Sequence, residues 1–400
     1  MIKRFVNKGK ILFLATFFYA AVGYAQQHVE LDKNWKCIGS EEIKENGEEI
    51  SRADYDLRNW MPAVVPGTVL TSLLHNGRVP DPFFGMNNKL IPDIYNTGRA
   101  YYTYWFVNDF QVGRPVNGGQ VWLHLRGVNY GCDIYINGHK LNEKTHYGMF
   151  LRQTYNITPF INNIRNRLAI IVYPPDPVGN AERGQGGDGA IARNVGSQYT
   201  AGWDWIQPVH DRNTGIWDRV WIATTGPVQL SNPHIITEVP GVRFPGDDQP
   251  AAIIKVSAEL NNPTGRPVTG TLKYTLQGSP VSKQVTIPPQ KAVTIQLPDL
   301  KLNHPELWWP NGYGAQHLYH LPLQFLINNK TISDSQNISF GVRSLTTSWD
   351  AFTRSMKIFV NGQPVFIKGG NWIASDEMLR LSPARYDAEI RFHRDMNLNL

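Results

Sequence analysis

The sequence predicts a mainly β protein made of two successive β-sandwiches and the opening of an α/β domain. Short apolar runs separated by turn residues extend from about Gln26 to Ser344. An Asn-Gly pair follows one of these runs at Asn137 and another occurs at Asn361, and such pairs favour hairpins because both central positions of the tight turn need a positive φ. The 12 Trp, 17 Tyr and 17 Phe are many for a chain with so few charges, and sandwich cores accommodate such residues.

The first 25 residues predict a secretory signal peptide. Basic residues precede an apolar run from Ile11 to Val22, and Gly23 and Ala25 supply the small residues of a cleavage site. A membrane anchor is the alternative, but the run is shorter than the roughly 20 residues that a spanning helix needs. We therefore expect an exported protein, periplasmic or extracellular, that has no membrane contact after cleavage.

The charge balance gives no reason to expect a nucleic-acid partner. Four of the 39 basic residues precede Ile11, which leaves 35 basic against 33 acidic residues, a difference of +2. Cys37 and Cys132 are the only cysteines. An oxidising compartment would allow a disulfide between them, but we expect two unlinked thiols that are buried as small apolar groups.

Residues 26–226 predict the first β-sandwich. Apolar residues alternate with polar ones from Val121 to Leu125, the run Cys132–Ile136 leads into an Asn-Gly pair, and Leu168–Tyr173 is a continuous apolar strand stopped by two prolines. Short strands between turn signals are typical of sandwiches. Pro227 cannot continue a central strand, so we place the domain boundary at Gly226.

Residues 227–345 predict a second, smaller sandwich of the immunoglobulin-like type. Strand-forming runs recur there with turn signals between them and with little helical periodicity. They are Ala251–Leu260, Thr269–Leu276, Gln284–Ile287, Ala292–Leu297 and His320–Ile327.

Residues 346–400 predict the first β-α step of an α/β domain. A second Asn-Gly hairpin joins Met356–Val360 to Val365–Lys368. Ser382 and Pro383 then supply a helix N-cap and a first-turn proline. A single β-α unit cannot close a sheet or a barrel, so we expect the domain to continue beyond Leu400.

Trp203, Asp204 and Trp205 are the clearest candidates for a ligand site. A carboxylate between two indoles suits a sugar, whose C–H faces pack on the rings while its hydroxyls donate to the carboxylate. The alternative is a strand with one buried Trp and an Asp that caps a turn, and spacing alone favours it. For Asp211-Arg212-Asn213 we favour a salt-bridged corner over a ligand site.

No motif indicates a metal or cofactor site, because the histidines lack ligand spacing and no GxSxG elbow occurs. Glycoside hydrolysis would need two carboxyl groups that flank the bond. Asp188, Asp204, Asp376 and Glu377 are available, but they lie in different predicted modules or in turns. We therefore assign no catalytic residue within the chain.

Several segments, spread in order along the chain, carry a family resemblance. They are Val64–Leu70 (VVPGTVL), Asn76–Asn88 (NGRVPDPFFGMNN), Ile91–Phe106 (IPDIYNTGRAYYTYWF), the WDW segment with Asp211–Asp218 (DRNTGIWD), and Val365–Asp376 (VFIKGGNWIASD). Together they resemble glycoside hydrolase family 2. Within that family they are most similar to the branch of exo-β-D-glucosaminidases and mannosylglycoprotein endo-β-mannosidases, with β-mannosidases close by.

The resemblance implies a jelly-roll, galactose-binding-like sandwich, an immunoglobulin-like sandwich and then a (β/α)8 TIM barrel. It also implies that Asp204 binds hydroxyls of an oligosaccharide or glycan substrate between Trp203 and Trp205, and that Asn371 and Trp372 line the same pocket. Whether the substrate is β-mannosidic or β-glucosaminidic stays open.

The same resemblance implies a retaining mechanism with two glutamates on later barrel strands, which we expect beyond residue 400. The 400-residue chain alone is therefore expected to be inactive. The alternative is a non-catalytic carbohydrate-binding protein made of two sandwiches.

Overall fold

The computed structural model describes residues 27–113, 115–162, 164–180, 192–202 and 206–400. The predicted signal peptide lies outside the described residues. The fold is mainly β, as the sequence predicts, and it contains two β-sandwiches. No helix within the described ranges is long and apolar enough to cross a membrane.

Two antiparallel sheets form the first sandwich. One sheet has the order β1-β11-β5-β9, and the other has the order β3-β2-β4-β10-β6-β7 with β8 beside β6. The strands are β1 (His28–Glu30), β2 (Lys36–Gly39), β3 (Met61–Pro62), β4 (Tyr104–Phe110), β5 (Gln120–Leu125), β6 (Gly131–Ile136), β7 (His139–Lys140), β8 (His146–Tyr147), β9 (Gln153–Asn156), β10 (Asn166–Tyr173) and β11 (Val220–Thr225).

Strand β10 explains the continuous apolar run in the sequence, because both of its faces are covered. Leu168 and Ile170 point into the core between the two sheets. Ala169 and Ile171 pack on the opposite face in a smaller cluster that contains Trp60. Helices α1 (Gly47–Ile50), α2 (Val69–His75) and α3 (Ile94–Thr97) lie in the connections before β4.

Cys37 in β2 and Cys132 in β6 are both fully buried, and neither forms a disulfide. Burial raises the pKa of each thiol to about 12. The expectation of two unlinked, buried thiols is confirmed.

Two further antiparallel sheets form the second sandwich, with the orders β12-β13-β16, where β17 also pairs with β13, and β15-β14-β18-β19. Alternate residues of β13 are buried, which is the period-two pattern of a strand with one face on a core. The strands are β12 (Gln229–Glu238), β13 (Ala252–Asn262), β14 (Val268–Leu276), β15 (Ser279–Ile287), β16 (Lys291–Gln296), β17 (Leu300–Leu302), β18 (Tyr319–Ile327) and β19 (Thr331–Phe340).

Strand β19 holds the start of β12 in place where one sandwich follows the other. The Gly226 N–H donates to the Ser333 carbonyl (2.6 Å), and the Leu230 N–H donates to Asp334 Oδ2 (2.7 Å). Burial raises the pKa of Asp334 to about 6, against an ordinary value of 3.8.

The C-terminal segment contains a three-stranded antiparallel sheet of β20 (Leu345–Asp350), β21 (Ser355–Val360) and β22 (Gln363–Val365), followed by helix α4 (Pro383–Asp395). The predicted hairpin is present, although β22 ends earlier than the sequence indicates. The Arg385 N–H donates to the Ser382 hydroxyl (3.2 Å), so Ser382 caps α4 as expected. After α4 the chain returns beside Lys368, whose carbonyl accepts from the Asn399 N–H (2.8 Å).

Candidate functional site

The structure describes two of the predicted site residues, Asn371 and Trp372, but not the other three. The segment Trp203–Trp205, which contains Asp204, lies outside the described residues, so its role stays a prediction. Asn371 is exposed, and Trp372 is 51% exposed. The indole N–H of Trp372 donates to Glu389 Oε2 of α4 (2.9 Å). Their place in the sugar pocket therefore stays a prediction.

The described residues on both sides of Trp203–Trp205 lie close to the turn that follows Trp372. Burial, together with the nearby carboxylates of Glu377 and Asp376, raises the pKa of the Tyr199 hydroxyl to about 12. On the other side, Gln207 lines the same cavity as Glu377. Tyr199 and Gln207, on either side of the predicted sugar-binding segment, therefore both lie near the turn at 376–377.

A cavity of about 330 Å³ lies between the first sandwich and this turn, and we call it the junction pocket. The polar residues that line it are Asn88, Gln207, His210 and Glu377. The apolar residues that line it are Leu70, Pro82, Phe83, Pro208, Val209 and Met378. Sugars need this combination, because hydroxyls require hydrogen-bond partners and ring C–H groups require apolar surface.

The polar wall of the junction pocket is a row of linked side chains. His210 Nε2 lies 2.7 Å from Asn88 Oδ1, and the Asn88 amide N–H donates to Gln207 Oε1 (2.6 Å). His210 is 4% exposed, and its Nδ1 lies 3.4 Å from Asp93 Oδ2. Amide groups both donate and accept, so this wall can bind hydroxyls of either orientation.

A buried ion pair between Asp93 and Arg212 lies next to His210 of that wall. Arg212 donates to both carboxylate oxygens of Asp93 at 3.0 Å, and the two side chains are 2% and 3% exposed. Its remaining N–H groups donate to the carbonyls of Val178, Gly179 and Val209. Burial opposes ionisation of Asp93, but His210 and Arg212 outweigh it and hold the pKa of that carboxyl below its ordinary value. The salt-bridged corner is therefore present.

The neighbours of Arg212 connect the sandwich to the turn at 376–378. The Asn213 side-chain amide donates to the Glu377 carbonyl (2.7 Å). The fully buried Asp211 accepts from the N–H groups of Leu70 (2.8 Å) and Asn213 (2.9 Å), and burial raises the pKa of its carboxyl. Met378 is 1% exposed and packs in the core of the first sandwich. The turn is thus part of the sandwich surface.

The two acidic residues of the turn have different surroundings. Asp376 is buried and pairs with Arg380 (2.8 Å) and Arg385 (3.5 Å). Glu377 is half-buried, and its carboxylate forms no ion pair or hydrogen bond within the described part of the chain. Burial and the neighbouring Asp376 both raise the pKa of Glu377.

Sequence reasoning did not select Asn88, Gln207 or His210, and it considered Glu377 only as a catalytic acid. These residues lie within the segments quoted above, but the segments are far apart in the sequence. Asn88 ends the segment NGRVPDPFFGMNN, and Gln207 and His210 lie between WDW and DRN. Pairing these segments requires knowledge that they meet in space.

Comparisons with known proteins agree with this architecture. A family model described as "Glycosyl hydrolase 2 galactose-binding domain-like" matches residues 39–218. A second model, described as "Glycosyl hydrolases family 2", matches residues 239–343. The two matches fall on the two sandwiches.

The chain is also similar to individual proteins. It is 40% identical to the mannosylglycoprotein endo-beta-mannosidase of Lilium longiflorum over 92% of this chain and 40% of that protein. It is 28% identical to the exo-beta-D-glucosaminidase of Streptomyces avermitilis over 88% of this chain and 36% of that protein. The crystal structure of an exo-chitosanase of Amycolatopsis orientalis matches with a TM-score of 0.78 and 25% identity, over 93% of this chain and 40% of that one. The chain thus spans 36% to 40% of the length of these proteins.

Proposed function

The chain belongs to glycoside hydrolase family 2, and we propose that it forms the sugar-recognising part of an exported, retaining glycosidase. The proposed substrates are oligosaccharides with β-mannosidic or β-glucosaminidic bonds. The lily and Streptomyces relatives are named for one bond each, so both stay in the proposal. Because the chain spans 36% to 40% of these relatives, the activity of a whole enzyme is itself proposed.

The junction pocket is the observation that carries this proposal. Polar residues with amide and carboxyl groups line it together with apolar residues such as Phe83 and Met378. Both described flanks of Trp203–Trp205 adjoin the turn at 376–377. We propose that a sugar bound by Asp204 and its two indoles lies beside the junction pocket.

The carboxylates of the pocket decide whether we propose sugar binding or bond cleavage for this chain. A retaining glycosidase needs two carboxyl groups about 5 to 5.5 Å apart. The described lining of the junction pocket contains one, Glu377. The neighbouring Asp376 is paired with two arginines. The proposal is that this chain binds sugar and that the catalytic glutamates belong to a barrel domain. The return of the chain beside Lys368 after α4 is consistent with the first β-α-β turn of such a barrel.

Sugar binding by the 400-residue chain tests the proposal. An NMR titration with β-1,4-mannobiose and with the glucosamine disaccharide of chitosan is expected to give weak binding, with a Kd on the order of 1 mM. The substitution Asp204→Ala removes charge-assisted hydrogen bonds and should weaken binding about tenfold or more.

Asp248→Ala is the matched control, because the Asp248 side chain is 79% exposed and lies in the second sandwich. It should leave the affinity unchanged. Tight binding that Asp204→Ala does not alter, or no binding of either disaccharide, would overturn the proposal.

A further inference from the structure

Four side chains of the first sandwich form a largely exposed apolar surface outside the junction pocket. A loop begins at the end of β8, and its residues Tyr147, Phe150 and Leu151 are 55%, 52% and 57% exposed. The partly buried Trp217 lies against this loop, because its indole N–H donates to the Met149 carbonyl (3.0 Å). We call Tyr147, Phe150, Leu151 and Trp217 the loop surface.

Packing positions the rings of the loop surface. Trp217 and Phe150 meet edge to face, with ring centroids 5.8 Å apart and an interplanar angle of 83°. A Cβ on Gly127 would lie 2.7 Å from the Trp217 ring, and a Cβ on Gly131 would lie 2.7 Å from the Tyr147 ring. Both rings therefore lie directly against the backbone of the sandwich, where a residue with a side chain would collide with them. Rings that are already positioned lose little side-chain entropy when a ligand binds.

Met149 connects the loop surface to the segment that precedes Trp203–Trp205. The Met149 side chain is 1% exposed, and its sulfur lies 3.7 Å from the Ser197 hydroxyl oxygen. Two residues after Ser197, the hydroxyl of Tyr199 lies near the carboxylate of Glu377. The loop surface thus lies next to the part of the chain that leads into the predicted sugar-binding residues.

Polar groups accompany these rings. Asp218, which follows Trp217, pairs with Arg126 (3.0 Å), and the two side chains are 26% and 45% exposed. Aromatic rings beside charged groups suit sugars, because ring C–H faces pack on the rings while hydroxyls bind the polar groups. A stable interface between two proteins takes about 20–30 residues from each side, whereas the loop surface consists of four. Its size and composition therefore favour a sugar as the occupant.

We propose that the loop surface binds further sugar units of a longer oligosaccharide, next to the unit that the proposed function assigns to Asp204. This inference rests on the proposed function and adds a preference for chain length to it. A disaccharide bound at Asp204 is expected to end before it reaches the rings, whereas additional units bring C–H groups that pack on Phe150 and Tyr147. Mannosyl and glucosaminyl units both have such C–H groups, so the preference applies to either sugar.

Titrations of the full 400-residue chain with disaccharides and tetrasaccharides test the inference. The ligands are β-1,4-mannobiose and β-1,4-mannotetraose, and the glucosamine disaccharide and tetrasaccharide of chitosan. In each series that the chain binds, the tetrasaccharide should bind about fivefold or more tightly than the disaccharide. Phe150→Ala should remove most of that gain and leave the affinity for the disaccharide within about twofold.

Two further variants separate the loss of the ring from a loss of structure. Phe150→Tyr keeps an aromatic ring and should retain most of the gain. Phe244→Ala removes a phenylalanine of similar exposure (55%) from the second sandwich and should change neither affinity. Thermal unfolding of each variant checks that the fold is intact. In the unmodified chain, the backbone NMR signals of residues 147–151 should shift with the tetrasaccharide and not with the disaccharide.

The outcomes separate this inference from the proposed function. Equal affinities for the two lengths, or a gain that Phe150→Ala leaves intact, would refute the inference. The proposed function would still stand if Asp204→Ala weakens binding of the disaccharide. If light scattering shows that Phe150→Ala changes the oligomeric state while the length dependence persists, the loop surface is an interface between copies of the chain. If no sugar of either length binds, the proposed function fails together with the inference.

Discussion

The buried pair of Asp93 and Arg212 gives the sharpest stability prediction. Asp93→Asn keeps the shape of the side chain but removes its charge, and it leaves the Arg212 guanidinium uncompensated at 2% exposure. Breaking a buried pair from one side costs about 3–5 kcal/mol. For a domain of this size, that loss lowers the Tm by roughly 6–20 °C.

Thermal and urea unfolding followed by tryptophan fluorescence would measure this loss, and the m-value should stay unchanged. Asp218→Asn is the control, because the Asp218–Arg126 pair is partly exposed (26% and 45%) and surface pairs contribute about 0–1 kcal/mol. A loss below about 1 kcal/mol for Asp93→Asn, equal to that of the control, would refute the reasoning.

The pKa of Asp93 also predicts the direction in which the stability changes with pH. The pKa of Asp93 is lower in the folded state, so its stabilisation is present above the ordinary carboxyl pKa and is lost as the pH falls through the folded-state pKa. The difference in unfolding free energy between the unmodified chain and Asp93→Asn should therefore shrink on acidification. A difference that grows as the pH falls would contradict the assignment of Asp93 as an ionised partner.

Two further predictions concern buried groups away from the pocket. Burial raises the pKa of Asp334 from 3.8 to about 6. Its contribution to stability is therefore greatest below pH 3.8 and is lost as the pH rises through 6, by at most about 3 kcal/mol. Urea unfolding of Asp334→Asn should lack this pH dependence, and a pH profile equal to that of the unmodified chain would contradict the prediction. Cys37 and Cys132 are fully buried with pKa values of about 12. A thiol reagent at pH 8 should therefore label both only after unfolding. Rapid labelling of the native chain would contradict this prediction.

Much of the fold follows from local patterns in the sequence. The period-two burial of β13 and the Asn-Gly turn at Asn361 are signals that neighbouring residues carry alone. The small helix α2 was not predicted, although Thr68 caps it by accepting from the Thr71 N–H (3.2 Å). A capped helix of seven residues, about two turns, gives too short a periodic pattern to distinguish it from a loop.

The candidate site was less predictable because its contacts join distant parts of the chain. Arg212 and Asp93 lie 119 residues apart in sequence, and Asn213 and Glu377 lie 164 apart. Met378 lies in a turn near the end of the chain, yet it is buried in the core of the first sandwich. No local period marks such a residue, and only the resemblance to a family pointed to this region.

Close backbone contacts near Arg212 hold the described residues on both sides of Trp203–Trp205. A Cβ on Gly179 would lie 2.1 Å from the Ala201 carbonyl oxygen, and a Cβ on Gly202 would lie 2.7 Å from the Pro208 backbone nitrogen. Both glycines have positive φ, so these close approaches need residues without a side chain. Residues 201, 202 and 208 are therefore held against one another, directly beside the carbonyls that Arg212 binds. The described residues on both sides of Trp203–Trp205 are thus packed next to the Asp93–Arg212 pair, so a variant that breaks this pair should also disturb the proposed sugar-binding segment.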